Sequence, residues 1–149
     1  MTLENRLSER LAVVATIDPD AYGTGAENTD AIDMLQHRRI LFVVLAGTIA
    51  STGKLDFAVY GDTASNGSFA TAITGKSITQ LTQAGTDSDK QALVEVSSEE
   101  VQAQALRYIR GVMTFTTAGG DAGVVAVAGD SRYQPNSVFD LASVDEIVN

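Results

Sequence analysis

The chain has 149 residues, 44% of them apolar, with 19 acidic and 10 basic side chains, no Cys and no Trp, and a formal charge of −9. That length and apolar content suit one ordinary domain around one hydrophobic core and exclude disorder along the whole chain. The negative charge repels phosphate backbones, which makes DNA, RNA and anionic membranes poor partners; it serves solubility or complements a basic partner.

Without Cys there is no thiolate chemistry and no disulfide framework. Met1-Thr2-Leu3-Glu4-Asn5-Arg6 lacks the basic-then-apolar order of a signal peptide. The longest apolar run, Ile40 to Ala46, falls far short of the roughly 20 residues that span a bilayer. A soluble protein made in a cytoplasm is expected.

Leu3, Leu7 and Leu11 share one helical face, so residues 2–11 predict a short helix or arm that needs a docking surface to be stable. Leu11 to Ile17 predicts a strand stopped by Asp18-Pro19-Asp20, and residues 20–29 read as a loop. Ala31 to Met34 predicts a brief strand. Arg39 to Ala46 is a continuous apolar stretch that predicts a buried strand ended by Gly47. Leu55, Phe57 and Val59 alternate with Asp56, Ala58 and Tyr60, the pattern of a strand with one face inward.

Asn66-Gly67 signals a tight turn between Val59 and Phe69. Phe69 to Ile73 and Ile78 to Leu81 are weaker strands. After an acidic turn at Asp87-Ser88-Asp89, Ala92, Val94 and Val96 alternate with Leu93, Glu95 and Ser97. Ser97 lies three residues before Glu100, the spacing of a capping box that opens a short helix before Arg107. Tyr108 to Thr116 and Val124 to Ala128 are the last strands, joined by the glycine-rich 118–123 as a hairpin turn. The expected fold is mainly β: a β-sandwich or jelly roll, or a small barrel, of about eight short strands. It divides into an N-terminal arm or short helix over 1–11, a β domain over 12–130 and a C-terminal arm over 131–149.

The residues offer no catalytic constellation. His37 is the single His, beside Arg38 and Arg39, and is expected at the surface or in a turn; no Gly-x-Ser-x-Gly elbow accompanies it. Gly119-Gly120-Asp121-Ala122-Gly123 lacks the Lys and hydroxyl of a phosphate loop. One His and no Cys exclude the usual zinc sites, and Asp87-Ser88-Asp89 reads as a solvated turn because it lacks the remaining oxygen positions of a Ca²⁺ loop. Paired carboxylates for sugar hydrolysis would normally come with aromatic platforms, which are scarce here. No enzyme, cofactor or metal is expected.

Several stretches together carry a resemblance: Ile17-Asp18-Pro19-Asp20-Ala21-Tyr22, Asp30-Ala31-Ile32-Asp33-Met34, Val43-Val44-Leu45-Ala46-Gly47-Thr48-Ile49, Leu55-Asp56-Phe57, Ile78-Thr79-Gln80-Leu81-Thr82, Asp89-Lys90-Gln91, Arg107-Tyr108 and the tail from Phe139 to Val148. The set covers most of the chain and resembles small virion proteins of tailed bacteriophages. It implies a structural part of the particle, above all a capsid decoration (cement) protein on the head surface whose partner is the major capsid protein. The segment Gly61 to Phe69 departs from the pattern, where a longer charged or Trp-containing stretch is common. The resemblance implies no catalytic residue, and it implies a homo-oligomer, with trimers suited to three-fold lattice positions. Candidate assembly contacts are Leu3, Leu7 and Leu11 at one end and Phe139, Leu141, Val144 and Ile147 at the other. A tail or head–tail joint component and a carbohydrate-binding β module are the competing readings.

Overall fold

Side-chain alternation decides the architecture. In the computed structural model, which describes residues 6–133, 139–140 and 142–148, ten strands form two antiparallel sheets. The elements in chain order are α1 (Leu7–Arg10), β1 (Ala12–Tyr22), β2 (Gly25–Asn28), β3 (Ile32–Asp33), β4 (His37–Ile49), β5 (Lys54–Asp62), β6 (Thr71–Ser77), β7 (Leu81–Thr82), β8 (Gln91–Ser97), α2 (Ser98–Ala103), β9 (Tyr108–Thr116) and β10 (Gly120–Ser131). One sheet has the order β1-β10-β4-β8. The other has the order β2-β9-β5-β6, with β3 added to β9 and β7 to β5. The expected β-sandwich is therefore present, and the sheets do not close into a barrel.

The core lies between the sheets. From the first sheet come Ile40, Phe42, Val44, Val94, Val96, Val124 and small residues such as Ala15, Ala126 and Ala128; from the second come Leu55, Phe57, Val59, Ile109, Met113 and Phe115. Large and small side chains share this core, as close packing requires. Phe42 and Phe57 meet across the layers with ring centroids 5.5 Å apart and tilted by 51°. Gly111 on β9 permits this pair: a Cβ there would lie 2.6 Å from Phe57 Cζ and 3.2 Å from Phe42 Cε1. Full burial of each such ring contributes roughly 1.5–3 kcal/mol.

Several sequence expectations need correction. The apolar run Arg39 to Ala46 is not buried on both faces, because it alternates on a sheet with one open side: Ile40, Phe42, Val44 and Ala46 point inward while Leu41, Val43 and Leu45 point outward. Asp18-Pro19-Asp20 does not stop β1. Its register shifts between Ile17 and Asp20, and β1 stands at the edge of its sheet, where Pro is tolerated. Part of the expected 20–29 loop is strand, since β1 reaches Tyr22 and Gly25–Asn28 pairs with β9. The glycine-rich 118–123 is not a hairpin turn, for β9 and β10 belong to different sheets and the chain crosses between layers there. At Gly119 a Cβ would collide with the Tyr22 carbonyl, so the crossing is tight. The Asn66-Gly67 turn sits within a longer loop, 63–70, tied down by Asp62, whose carboxylate accepts from Ala64 N (3.1 Å) and Phe69 N (3.1 Å).

His37 is not a surface residue. It is 2% exposed, and its Nδ1 lies 3.2 Å from Ser131 Oγ because β4–β10 register sets the two residues opposite each other. No helix among the described residues is long and apolar enough to cross a membrane.

Candidate assembly surface

The outer face of the four-stranded sheet follows from the register. One cross-strand row reads Val13, Val127, Leu41, Glu95; the next reads Thr16, Val125, Val43, Leu93; and Leu45 pairs with Gly123 and Gln91. An outward face of an antiparallel sheet is normally polar. Here it carries aliphatic side chains, with Leu93 64% exposed and Leu45 40% exposed. Contiguous apolar surface of this kind marks a place where another surface docks. The sequence held the signal, since the alternation of β8 already turned Leu93 outward.

The N-terminal helix lies over one end of the same sheet. Only four residues long, α1 has no buried side chain of its own. Leu11 Cδ2 sits 3.5 Å from where a Cβ on Gly129 would be, which places Leu11 above β10. Leu7, Arg10, Leu11, Arg39, Gly129 and Asp130 line a groove of about 290 Å³ there. Leu7 is 70% exposed and Leu11 40% exposed, so the groove is walled by uncovered leucines.

Beside it opens a larger polar groove of about 920 Å³, in which Arg38, Arg39, Lys76 and Arg132 mingle with Glu95, Glu99, Glu100 and Asp130. Arg39 Nη1 pairs with Glu95 Oε1 at 2.6 Å and Lys76 Nζ with Glu100 Oε1 at 2.7 Å. Such pairs at the surface orient side chains and contribute little to stability.

The C-terminal segment covers the open edge of β1. Asp140 N donates to the Val13 carbonyl (2.8 Å), and Ser143 Oγ meets Thr16 Oγ1 (2.8 Å). Asp140 also accepts from Ala142 N (3.3 Å) and Ser143 Oγ (2.9 Å), which turns the chain at that point. Asp18, Glu27, Asp30 and Asp140 line a hollow of about 280 Å³ beside this anchor, with no Lys or Arg among its lining residues. Partial burial, then the charges of Asp20, Glu27 and Asp18, push the Tyr22 hydroxyl pKa up there.

Of the expected contact residues, the structure brings Leu7 and Leu11 together over β10 and leaves Phe139 and Val144 half-buried in the C-terminal segment. Ile147 is 41% and Val148 83% exposed. Leu3 and Leu141 lie outside the described residues. His37 is enclosed, and no carboxylate bonds its ring among the described residues. No group of three or more acidic or His side chains among the described residues is placed to hold a metal ion.

No protein-family model and no curated protein sequence matches the chain. Among solved structures, the infectious bursal disease virus VP2 subviral particle aligns at 13% identity over 79% of this chain, with a TM-score of 0.47. The chain spans 32% of the length of that VP2 chain. The K1 cleaved adhesin domain of Lys-gingipain from Porphyromonas gingivalis W83 aligns at 17% identity over 70% of this chain and 62% of its own, with a TM-score of 0.38. The Desmodium yellow mottle tymovirus structure aligns at 10% identity over 92% of this chain and 98% of its own, with a TM-score of 0.41. With TM-scores this low, the likenesses assign neither a family nor a function.

Proposed function

We propose that the chain is a structural virion protein, a decoration (cement) protein that binds the major capsid protein on the head surface of a tailed bacteriophage. The observation that carries this reading is the outer face of the β1-β10-β4-β8 sheet, with uncovered Leu45 and Leu93 and both terminal segments against its β1–β10 part. The sequence resemblance supplies the identity of the surface to be covered. A rigid sandwich holds shape while the terminal segments add adhesive area, and many copies on one shell add avidity. Homo-oligomers, trimers at three-fold positions among them, fit the same role. The protein is then made in the host cytoplasm and ends on the virion, without a cofactor and without catalysis.

Capsid binding tests the proposal directly. Purified heads incubated with the protein should retain it in a saturable way. Leu45→Asp combined with Leu93→Asp should weaken retention by about tenfold or more, because a charge would be buried in a desolvated contact. Deletion of residues 1–11 or 132–149 should also weaken it. Both leucines are exposed, so a thermal melt should show the double variant still folded. Absence of wild-type binding, or label confined to one vertex or the tail, would overturn the assignment to the head surface.

A further inference from the structure

The chain has two uncovered apolar features of complementary charge, and within one copy they do not meet. The first is the Leu7–Leu11 groove with Arg10, Arg39 and Asp130, of which Arg39 is paired with Glu95 and Asp130; Arg38 lines the polar groove alongside. Arg10 and Arg38 make no ion pair among the described residues. The second is the C-terminal run Val144-Asp145-Glu146-Ile147-Val148, in which two carboxylates precede two exposed aliphatic side chains.

The anchor directs that run away from its own groove: Asp140 is held at Val13, two residues from Leu11, and Ser143 further along β1 at Thr16. Val144 N bonds back to the Asp140 carbonyl (2.9 Å). Thr16 pairs with Val125, whereas the groove lies over Gly129 further along β10, roughly 13 Å away at about 3.3 Å per residue. None of residues 144–148 lines the groove of its own copy. Arg10 and Arg38 offer the two carboxylates of the run opposite charge.

We infer that residues 144–148 of one copy dock in the Leu7–Leu11 groove of a second copy. Ile147 and Val148 lie against the two leucines, and Asp145 and Glu146 face Arg10 and Arg38. The contact joins two different patches, so it is heterologous: it closes into a ring where the rotation permits and otherwise extends head to tail. It forms between copies of the chain alone, with no capsid present, and so stands or falls separately from the role on the phage head.

The chain contains no Cys, which makes cross-linking clean. Leu7→Cys and Val148→Cys are prepared as separate, differently tagged chains, mixed and mildly oxidised. The expected product is the mixed disulfide between the two chains, in excess over either symmetric one. In sedimentation velocity, Arg10→Glu should weaken self-association about tenfold, and mixing it with a chain carrying Asp145→Arg and Glu146→Arg should restore it. Symmetric disulfides alone, a disulfide closed within one chain carrying both substitutions, or a wild-type chain that stays monomeric at high concentration would each overturn the inference. Arg10 is exposed, so loss of association by a folded Arg10→Glu variant without charge-swap rescue overturns it too.

Discussion

Thr29 shows how much one side chain can hold between the strands of this sandwich. It is 4% exposed; its Oγ1 accepts from Gly111 N (2.9 Å) and donates to the Asp30 carbonyl (3.0 Å). Thr29 N in turn donates to the Gly111 carbonyl (3.0 Å), so the residue continues the β9 ladder between β2 and β3. Thr29→Val keeps the shape and strands the Gly111 N–H in the core. The expected loss is about 1–3 kcal/mol, read as a lower urea midpoint at unchanged slope, with Thr29→Ser losing less. Nothing in the sequence marks this threonine, because its partner is 82 positions away. His37 was missed for the same reason: the local Arg38-Arg39 context suggests the surface, and the burial comes from Ser131 on a distant strand.

Elements were legible where their cause is local. The capping box at Ser97 forms as its spacing predicts, with Glu100 N donating to Ser97 Oγ (3.3 Å) and Ser97 N donating to Glu100 Oε2 (2.9 Å). Ser97→Ala should therefore cost about 1 kcal/mol of stability, measured by chemical denaturation, with the sheets intact. The strands β5 and β8 were likewise readable from alternation. What escaped was set by neighbours. Pro19 reads as a strand breaker until the edge position and shifted register of β1 are known. The glycine-rich link reads as a hairpin until its flanking strands are seen in different layers. The outward leucines were visible as letters, yet their joint face depends on the order β10-β4-β8, which no pattern along the chain encodes.

At the scale of the whole molecule, stability should depend on pH in two windows. Hydrogen bonds from Arg107 to Asp33, from Lys76 to Glu100, and from backbone N–H groups to Asp62 and Asp87 hold these carboxylates below their usual pKa. Their stabilisation is present above the ordinary values of 3.8 for Asp and 4.5 for Glu, and is lost as pH falls through the depressed folded values. Burial lowers the pKa of His37 from 6.5, so its neutral form favours the fold above that value and the benefit erodes as pH falls toward the folded pKa. Melting temperature should thus begin to decline below about pH 6.5 and drop more steeply below about 4.5. His37→Gln should flatten the upper limb and leave the lower one; an unchanged upper limb would show that His37 is not its source.

The last strand among the described residues is also an inner strand of its sheet. β10 separates β1 from β4, so the β1-β10-β4-β8 layer has no centre until residue 131 has left the ribosome. The other layer has all of its described strands once Thr116 is made. A nascent chain therefore carries half a sandwich, with Phe42 and Val44 waiting for a neighbour that arrives last. Folding of this layer should therefore be limited by the insertion of β10 between β1 and β4, a pairing of high sequence separation.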